Sequence, residues 1–313
     1  MAPSQTHPIN LKNFLMKAQF SAPAKVNLAL RVVGKRSDGY HLLQTVMTFF
    51  PLYDLLEIEI LPQRGRIELS CQPEVTPKPE DNLIYKTAKA FGLATGVDKG
   101  VAIKLTKNIP HGGGLGGGSS NAATTLLALN KMWDINWSLD KLIELGVSLG
   151  ADIPIFLGGR GALAQGIGEK LTFLPDLPTA TLVLLNPGET ISTKEVFKAL
   201  AGNFPHHPHP LEADTIKEGC LPALLENDLE PIVKNITPII TEMTDSLLST
   251  GANATLMSGS GSSLFGYFNK KEQASKAVNT LKQRHPNWKI MKGTTFNIHP
   301  FAKEWKSSIV HRH

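Results

Sequence analysis

The sequence predicts an α+β chain in two units, the second of them ferredoxin-like. Three observations carry this. After Pro178 the strand and helix patterns follow the order β-α-β-β-α-β, that of a split βαβ unit. Before it, two helical patterns at 119–133 and 138–150 succeed one another with no strand between them, so the first unit is not a dinucleotide-type alternation. Between the halves, LPDLP (174–178) supplies two prolines. The boundary is placed at 173–180, giving units 20–175 and 176–309 after an N-terminal extension, 1–19.

The elements follow in order. KVNLALRVV (25–33) alternates apolar residues and is rich in β-branched ones, so it reads as a strand. Asp38-Gly39 is a turn signal, and TVMTFF, LLEIEIL and RIELSC are further strands. DNLIYKTAKAFGLATG (81–96) reads as a helix capped by Asp81, with Leu83, Thr87, Ala90 and Leu93 on one face. VAIKLTKNI (101–109) is a strand that runs straight into glycines. The next helix, 119–133, puts Ala122, Leu126, Leu129 and Trp133 on one side. The one after it, 138–150, has Ser138 as N-cap and Gly150 as its stop. In the second unit ATLVLLN is a strand. Helical stretches lie near 192–201 and 227–250, around a Pro- and His-rich loop, AGNFPHHPHPLEAD. TLMSGS and SLFGYF are short strands, KKEQASKAVNTLKQR a helix and WKIMKGTTF a last strand.

Composition narrows the function. The 313 residues are 42% hydrophobic and 19% charged, a globular balance with ample chain for a core. No apolar run approaches the ~20 residues of a membrane span, and MAPSQTHPINLKNFLMKAQF does not read as a secretory signal. It reads as a frayed extension; Lys12 and Lys17, without acidic neighbours, also fit a targeting segment. The two cysteines, Cys71 and Cys220, have no metal spacing and suit a reducing cytoplasm. The net charge of +5 is dispersed, which suits anionic small molecules and gives no nucleic-acid patch. The expected partners are small molecules, with no nucleic acid or membrane, and the expected state is a monomer or weak homodimer.

Between Gly112 and Gly118 six of seven residues are glycine, and a helix follows. Backbone without Cβ approaches a ligand closely, and a helix start adds unpaired N–H groups and about half a positive charge. The combination suits phosphate. GxxxxGK[ST] is absent. Gly112, Gly114 and Gly117 satisfy GxGxxG, a match nearly automatic in a glycine run, and the two successive helices exclude the dinucleotide fold. HRD and DFG, which a protein kinase would carry, do not occur.

IPHGGGLGGGSSNAA (109–123) resembles the phosphate loop of the kinase superfamily that includes galactokinase, homoserine kinase and mevalonate kinase. PAKVNLALRVVGKRSDGYHLL (23–43), LGADIPIF (149–156) and LMSGSGSSLFG (256–266) are similar to its other motifs, in the right order. The first of these resembles the branch acting on a diphosphocytidyl derivative of methylerythritol, in the non-mevalonate isoprenoid route. The resemblance spans about 20–300 and implies a two-domain fold with its active site in the interdomain cleft. It also implies ATP as phosphoryl donor and Mg²⁺ with it.

It further implies roles for particular residues. Asp152 matches the catalytic Asp; on spacing alone it caps a short helix beginning at Ile153-Pro154. Lys25 matches the catalytic Lys, although a lone Lys at a strand end is usually solvated. Asn27, two residues on, shares its face and is assigned to the acceptor. Tyr40 and His41 match the residues that hold a cytosine; Tyr40 could also anchor the Asp38-Gly39 turn. Thr193 and Phe197, one helical turn apart, match the far side of the cytidine site, and Lys194 stands where a proline is expected. The ATP set is Asn82, Leu83, Lys107, Pro110, His111, Gly112, Gly113, Gly114, Leu115, Gly116, Gly117, Gly118, Ser119, Ser120 and Asn121, with Ser120 as the candidate Mg²⁺ ligand. SGSGSS (258–263) would bring a second small-residue loop near the first. His206, His207 and His209, interleaved with prolines, read as a solvated loop.

Overall fold

The alternation read at 25–33 runs further in both directions. The computed structural model describes residues 17–299 except 176, 201–203 and 217–220; Cys220 and Lys12 lie outside the described residues. β1 (Lys17–Lys35) and β2 (His41–Leu61) form one long antiparallel hairpin, paired from Lys17↔Glu59 to Lys35↔His41. TVMTFF and LLEIEIL are therefore a single strand. Residues 17–19, expected in the extension, belong to β1 because their partners on β2 continue the ladder.

β3 (Ile67–Gln72) lies parallel to β4 (Gly100–Thr106), and β4 pairs with β2. β5 (Ala162–Gly166) adds to β2 and β6 (Lys170–Phe173) to β5, two short strands that the sequence did not announce. Over this sheet pack α1 (Leu83–Thr95), α2 (Gly117–Met132), α3 (Leu139–Leu149) and α4 (Ile153–Gly158).

Two helix expectations need correction. Asn82, not Asp81, caps α1: its Oδ1 accepts from Ile84 N at 3.0 Å, while Asp81 ends a preceding 3₁₀ turn. The buried face of α1 is Ile84, Thr87, Ala88 and Phe91, and Leu93 is 77% exposed. Apolar residues surround this helix, and the stacking of Phe91 on Trp133 selects the face (centroids 5.8 Å). Ser138 caps α3 as expected, but Gly150 closes it in extended backbone (φ 175°). α2 is buried nearly all round, polar residues included, because α1, α4, β1 and β2 enclose it.

The second sheet has the predicted order. β7 (Thr181–Asn186) leads to α5 (Thr193–Ala199) and α6 (Leu221–Leu224). The two-residue β8 (Glu226–Asn227) departs to the first sheet, parallel to β1. The helix expected over 227–250 is two, α7 (Glu230–Ile236) and α8 (Ile239–Ser249), broken at Thr237-Pro238 as proline geometry requires. β9 (Ala254–Met257), β10 (Leu264–Phe268), α9 (Lys271–Arg284) and β11 (Lys289–Thr294) complete a sheet ordered β11-β7-β10-β9. That is the ferredoxin-like arrangement.

A shared core joins the sheets: Val26, Leu28 and Phe50 of the first pack with Leu182, Leu184 and Phe265 of the second, around Leu115. No helix among the described residues is long and apolar enough to cross a membrane.

After β11 the chain returns to the first sheet. Phe296 bridges Phe49, and His299, 1% exposed, sets its ring edge-on to Phe49 at 5.6 Å. Burial lowers the His299 pKa from 6.5 to about 4. The folded value lies below the unfolded one, so this stabilisation is complete above pH 6.5 and is lost as pH falls towards 4. The loss is on the order of 2–3 kcal/mol. Denaturant titrations of the protein and of His299→Gln across pH 7 to 4 should diverge by such a slope, with the variant the flatter; parallel curves would refute the assignment.

Candidate active site

Lys25 and Asn27 point to one face of β1, just before a register shift between Asn27 and Ala29. Lys25 Nζ donates to Asn27 Oδ1 at 2.6 Å and lies 3.5 Å from Asp152 Oδ2. The lysine side chain is 5% exposed and the aspartate 36%. Lys25 is therefore not a solvated strand end. Asp152 stands at the N-cap position of α4 but makes no side-chain capping bond. Its carboxylate turns to the ammonium instead, beside a fixed positive charge and partly open to water.

The glycine loop packs directly on this pair. Gly112, Gly114 and Gly116 have φ of +65°, +75° and +67°. A Cβ on Gly114 would lie 2.0 Å from the Ser258 carbonyl oxygen, and one on Gly116 would lie 2.9 Å from Lys25 Cγ. Much of the glycine content thus answers to protein neighbours. Gly118, in the first turn of α2, has nothing within 4 Å of such a carbon and is exposed. The loop carbonyls face the protein: Leu115 O accepts from Lys25 N (2.9 Å), Gly113 O from Ser263 N (3.1 Å) and Gly114 O from Ser258 Oγ (3.0 Å). The 258–263 loop therefore does sit against the glycines, and Asn227 holds it by donating to Met257 O and Gly259 O.

The expected ATP residues divide. Lys107 is placed otherwise than as a free cation. Its ammonium is buried on Asp54 Oδ2 (2.5 Å) and Ile109 O (2.8 Å), 2.8 Å from where a Cβ on Gly117 would be. Burial lowers its pKa against the pull of Asp54, which also accepts from Asn108 N and Ile109 N. Lys107 braces the start of α2 from beneath. A cavity of about 520 Å³, lined by Leu69, Cys71, Gln72, Thr76 and Asn82, lies alongside, since Lys107 N donates to Gln72 O. Leu83 packs on the core at its edge. Pro110 is buried and His111 exposed. Ser119 is half-buried, whereas Ser120 Oγ and Asn121 Oδ1 are sealed from solvent without hydrogen-bond partners. A hydroxyl so enclosed does not fit as a ligand of a hydrated Mg²⁺. No group of three His, Cys, Asp or Glu among the described residues could hold a metal.

On the other side, a cleft of about 640 Å³ gathers Tyr40, His41, Asp152, Thr193 and Phe197. His41 stacks on Phe197 (centroids 4.9 Å, 23°) and meets Phe204 edge-on. Burial, with Lys35 adding to it, lowers the His41 pKa and keeps the ring neutral. Tyr40 is 61% exposed at the rim, and Thr193 Oγ1 lies 2.7 Å from Ser260 Oγ. Asn27 is spent on Lys25 and does not line the cleft. The Pro/His loop is not merely solvated. His207 Nε2 pairs with Asp228 Oδ2 at 2.9 Å, and Arg31 holds His209 O.

Comparison with known proteins accords with this geometry. The family described as GHMP kinases N terminal domain matches residues 82–160, and that described as GHMP kinases C terminal matches 216–287. A Geobacter sp. (strain M21) protein named 4-diphosphocytidyl-2-C-methyl-D-erythritol kinase is 40% identical over 86% of this chain and 96% of its own length. A protein of the same name from Syntrophus aciditrophicus (strain SB) is 42% identical over 83% and 93%. The chain belongs to the 4-diphosphocytidyl-2-C-methyl-D-erythritol kinase family. A solved structure of 4-(cytidine 5'-diphospho)-2C-methyl-D-erythritol kinase superposes with TM-score 0.75 at 36% identity, covering 89% of this chain and 99% of that one. L. major mevalonate kinase in complex with R-mevalonate, at TM-score 0.69 and 17% identity, shares the fold.

For this member of the family, sequence reasoning missed Thr45, Asp54, Asn227 and Ser258 as supports of the site. All are buried polar residues, three of them in strands and Ser258 directly after the end of one. The signal available was a polar residue at an inward position of an apolar alternation. The loop yields a paired prediction. Gly114→Ala should destabilise the protein by about 2 kcal/mol or more, through the φ > 0 backbone and the clash with Ser258 O. Gly118→Ala should leave thermal stability at or above that of the unmodified protein yet weaken ATP binding in a calorimetric titration. Equal ATP affinity for Gly118→Ala and the unmodified protein would move the nucleotide elsewhere.

Proposed function

We propose that this chain transfers the γ-phosphoryl group of ATP to the 2-hydroxyl of 4-diphosphocytidyl-2-C-methyl-D-erythritol. The products are the 2-phosphate and ADP, in the non-mevalonate route to isoprenoid precursors, in a reducing cytoplasm. One observation carries the reading: the carboxylate of the Lys25–Asp152 pair opens into the same cleft as the Tyr40, His41 and Phe197 rings. A base held on those rings brings its attached alcohol within reach of a group that can accept a proton.

In this reading residues 20–175 carry ATP and 176–309 close over the acceptor. The nucleotide's phosphates lie on the outer face of the loop around Gly118 and Ser119, where amides are free and space is open. The adenosine lies towards Asn82 and the cavity beside it. Mg²⁺ bound to the incoming ATP would supply neutralisation of phosphate charge, with no ligand assigned to it from this chain. Asp152 takes the proton of the 2-hydroxyl as that oxygen bonds to the γ-phosphorus and ADP leaves. Lys25 pairs with the Asp152 carboxylate and stabilises the developing negative oxygen. A tertiary alcohol is crowded, so positioning supplies most of the rate.

The cleft wall carries a further match to the acceptor. Lys35, Lys194 and Lys198 line it, with Asp152 as the one carboxylate among the described lining residues. Lys194 and Lys198 stand at i and i+4 on α5, a like-charge pair that an anion would relieve. An aromatic face with an uncompensated cationic rim suits a nucleoside diphosphate.

The direct test offers the purified protein Mg-ATP with the cytidyl acceptor or with mevalonate, following ADP release. Turnover with the cytidyl acceptor is expected, and turnover with mevalonate alone would overturn the reading. Asp152→Asn should cut kcat at least ~10²-fold with ATP affinity near normal. In competition assays, Lys194→Ala/Lys198→Ala should weaken CDP about tenfold while sparing cytidine, with the difference shrinking at high salt. Equal losses for both would place the diphosphate away from α5.

A further inference from the structure

We propose that Thr45 is a positioning residue for phosphoryl transfer: its hydroxyl fixes the orientation of the Asn27 amide, and through that amide the place of the Lys25 ammonium. The inference rests on the functional reading above for the role of Lys25, and on hydrogen-bond accounting for the rest.

Thr45 lies on β2 opposite Leu30 and is buried. It is not among the residues that line the cleft. Its Oγ1 donates to Ala29 O at 2.6 Å. A threonine hydroxyl has one hydrogen, and a backbone carbonyl can only accept. With that hydrogen committed, Oγ1 has only lone pairs to offer Asn27, 2.7 Å away. The Asn27 atom facing it must therefore be the donor, Nδ2. Oδ1 then faces the other way, onto Lys25 Nζ at 2.6 Å, where an ammonium can only donate. The reversed amide would fail at both ends. It would set an NH₂ against an ammonium and a carbonyl against a hydroxyl with no hydrogen to give.

The amide is tethered through its backbone as well. Asn27 N donates to Ser258 Oγ at 3.2 Å, and that hydroxyl donates to Gly114 O. Asn27 is thus a joint between the ammonium and the phosphate loop, and the Thr45 hydroxyl at one end and the Lys25 ammonium at the other fix which way the joint faces. Thr45 acts on the reaction only through Asn27.

The experiment compares Thr45→Val, which replaces the hydroxyl by a methyl of similar size, with Thr45→Ser, which keeps it. Thr45→Val should lose about ten- to fifty-fold in kcat, with KM for ATP and for the cytidyl acceptor within about twofold. Thr45→Ser should keep at least about half of the normal kcat, a rescue that mere packing would not give. The double variant Asn27→Ala/Thr45→Val should turn over no more slowly than Asn27→Ala. Should Thr45→Val fail to fold, Thr45→Ala takes its place against the same serine control. A crystal structure of the valine or alanine variant gives a readout independent of activity, with Lys25 Nζ expected to have left Asn27 Oδ1. A kcat within twofold of normal, a serine variant as impaired as the valine one, additive losses in the double variant, or an unmoved Lys25 would each overturn the proposal. Absence of turnover by the unmodified chain would instead strike the functional reading, and the crystallographic comparison would still judge the role of Thr45.

Discussion

The ammonium of Lys25 is the constraint around which the site is organised. An unpaired charge at this depth would be strongly destabilising, so its donors must be met. An amide oxygen at 2.6 Å and a carboxylate at 3.5 Å meet them. The stem needs room too. Gly116 supplies it by lacking a Cβ, which would meet both that stem and the Phe156 ring of α4. The helix that Asp152 begins, the loop that Gly116 ends and the strand bearing Lys25 thus determine one another's positions.

The second sheet contributes by contact as well as by covering. The core shared around Leu115 brings the 258–263 loop onto the glycines, where the Ser258 carbonyl lies in the space that a side chain on Gly114 would need. Asn227 and Asp228 tie the same region to β1 and β9. Beneath α2, Asp54 collects a lysine and two backbone N–H groups and fixes the turn from β4 into the loop. The outer face of the loop stays open because its inner face is fully engaged.

Much of this was legible in the chain. Periodicity gave the strands and helices of both sheets, since 3.6- and 2-residue patterns survive wherever one face is buried. Where burial is all round, as in α2, or apolar residues surround a helix, as in α1, the pattern loses its phase and the face was misjudged. Proline geometry at Thr237-Pro238 was available and was not used. The short strands β5, β6 and β8 carry too few residues to show a period, and β5 and β8 also pair with strands distant in the chain. At the site, the motif residues Lys25, Asp152, Tyr40, His41 and Phe197 do converge. The Lys107 ammonium is held by a partner 53 residues away, Asp54. A pairing of that separation leaves no local trace.

One feature bears on how the molecule is made. The left-handed bend at Gly114 lies against the backbone of Ser258, and its carbonyl is held by that residue's hydroxyl, 144 positions later. During synthesis α2 leaves the ribosome well before its brace does. The nascent N-terminal half can collapse around Phe91 and Trp133, yet its glycine loop takes final shape only once the β9–β10 hairpin has emerged and docked. The geometry of the glycine loop is therefore acquired late, after most of the chain has been made.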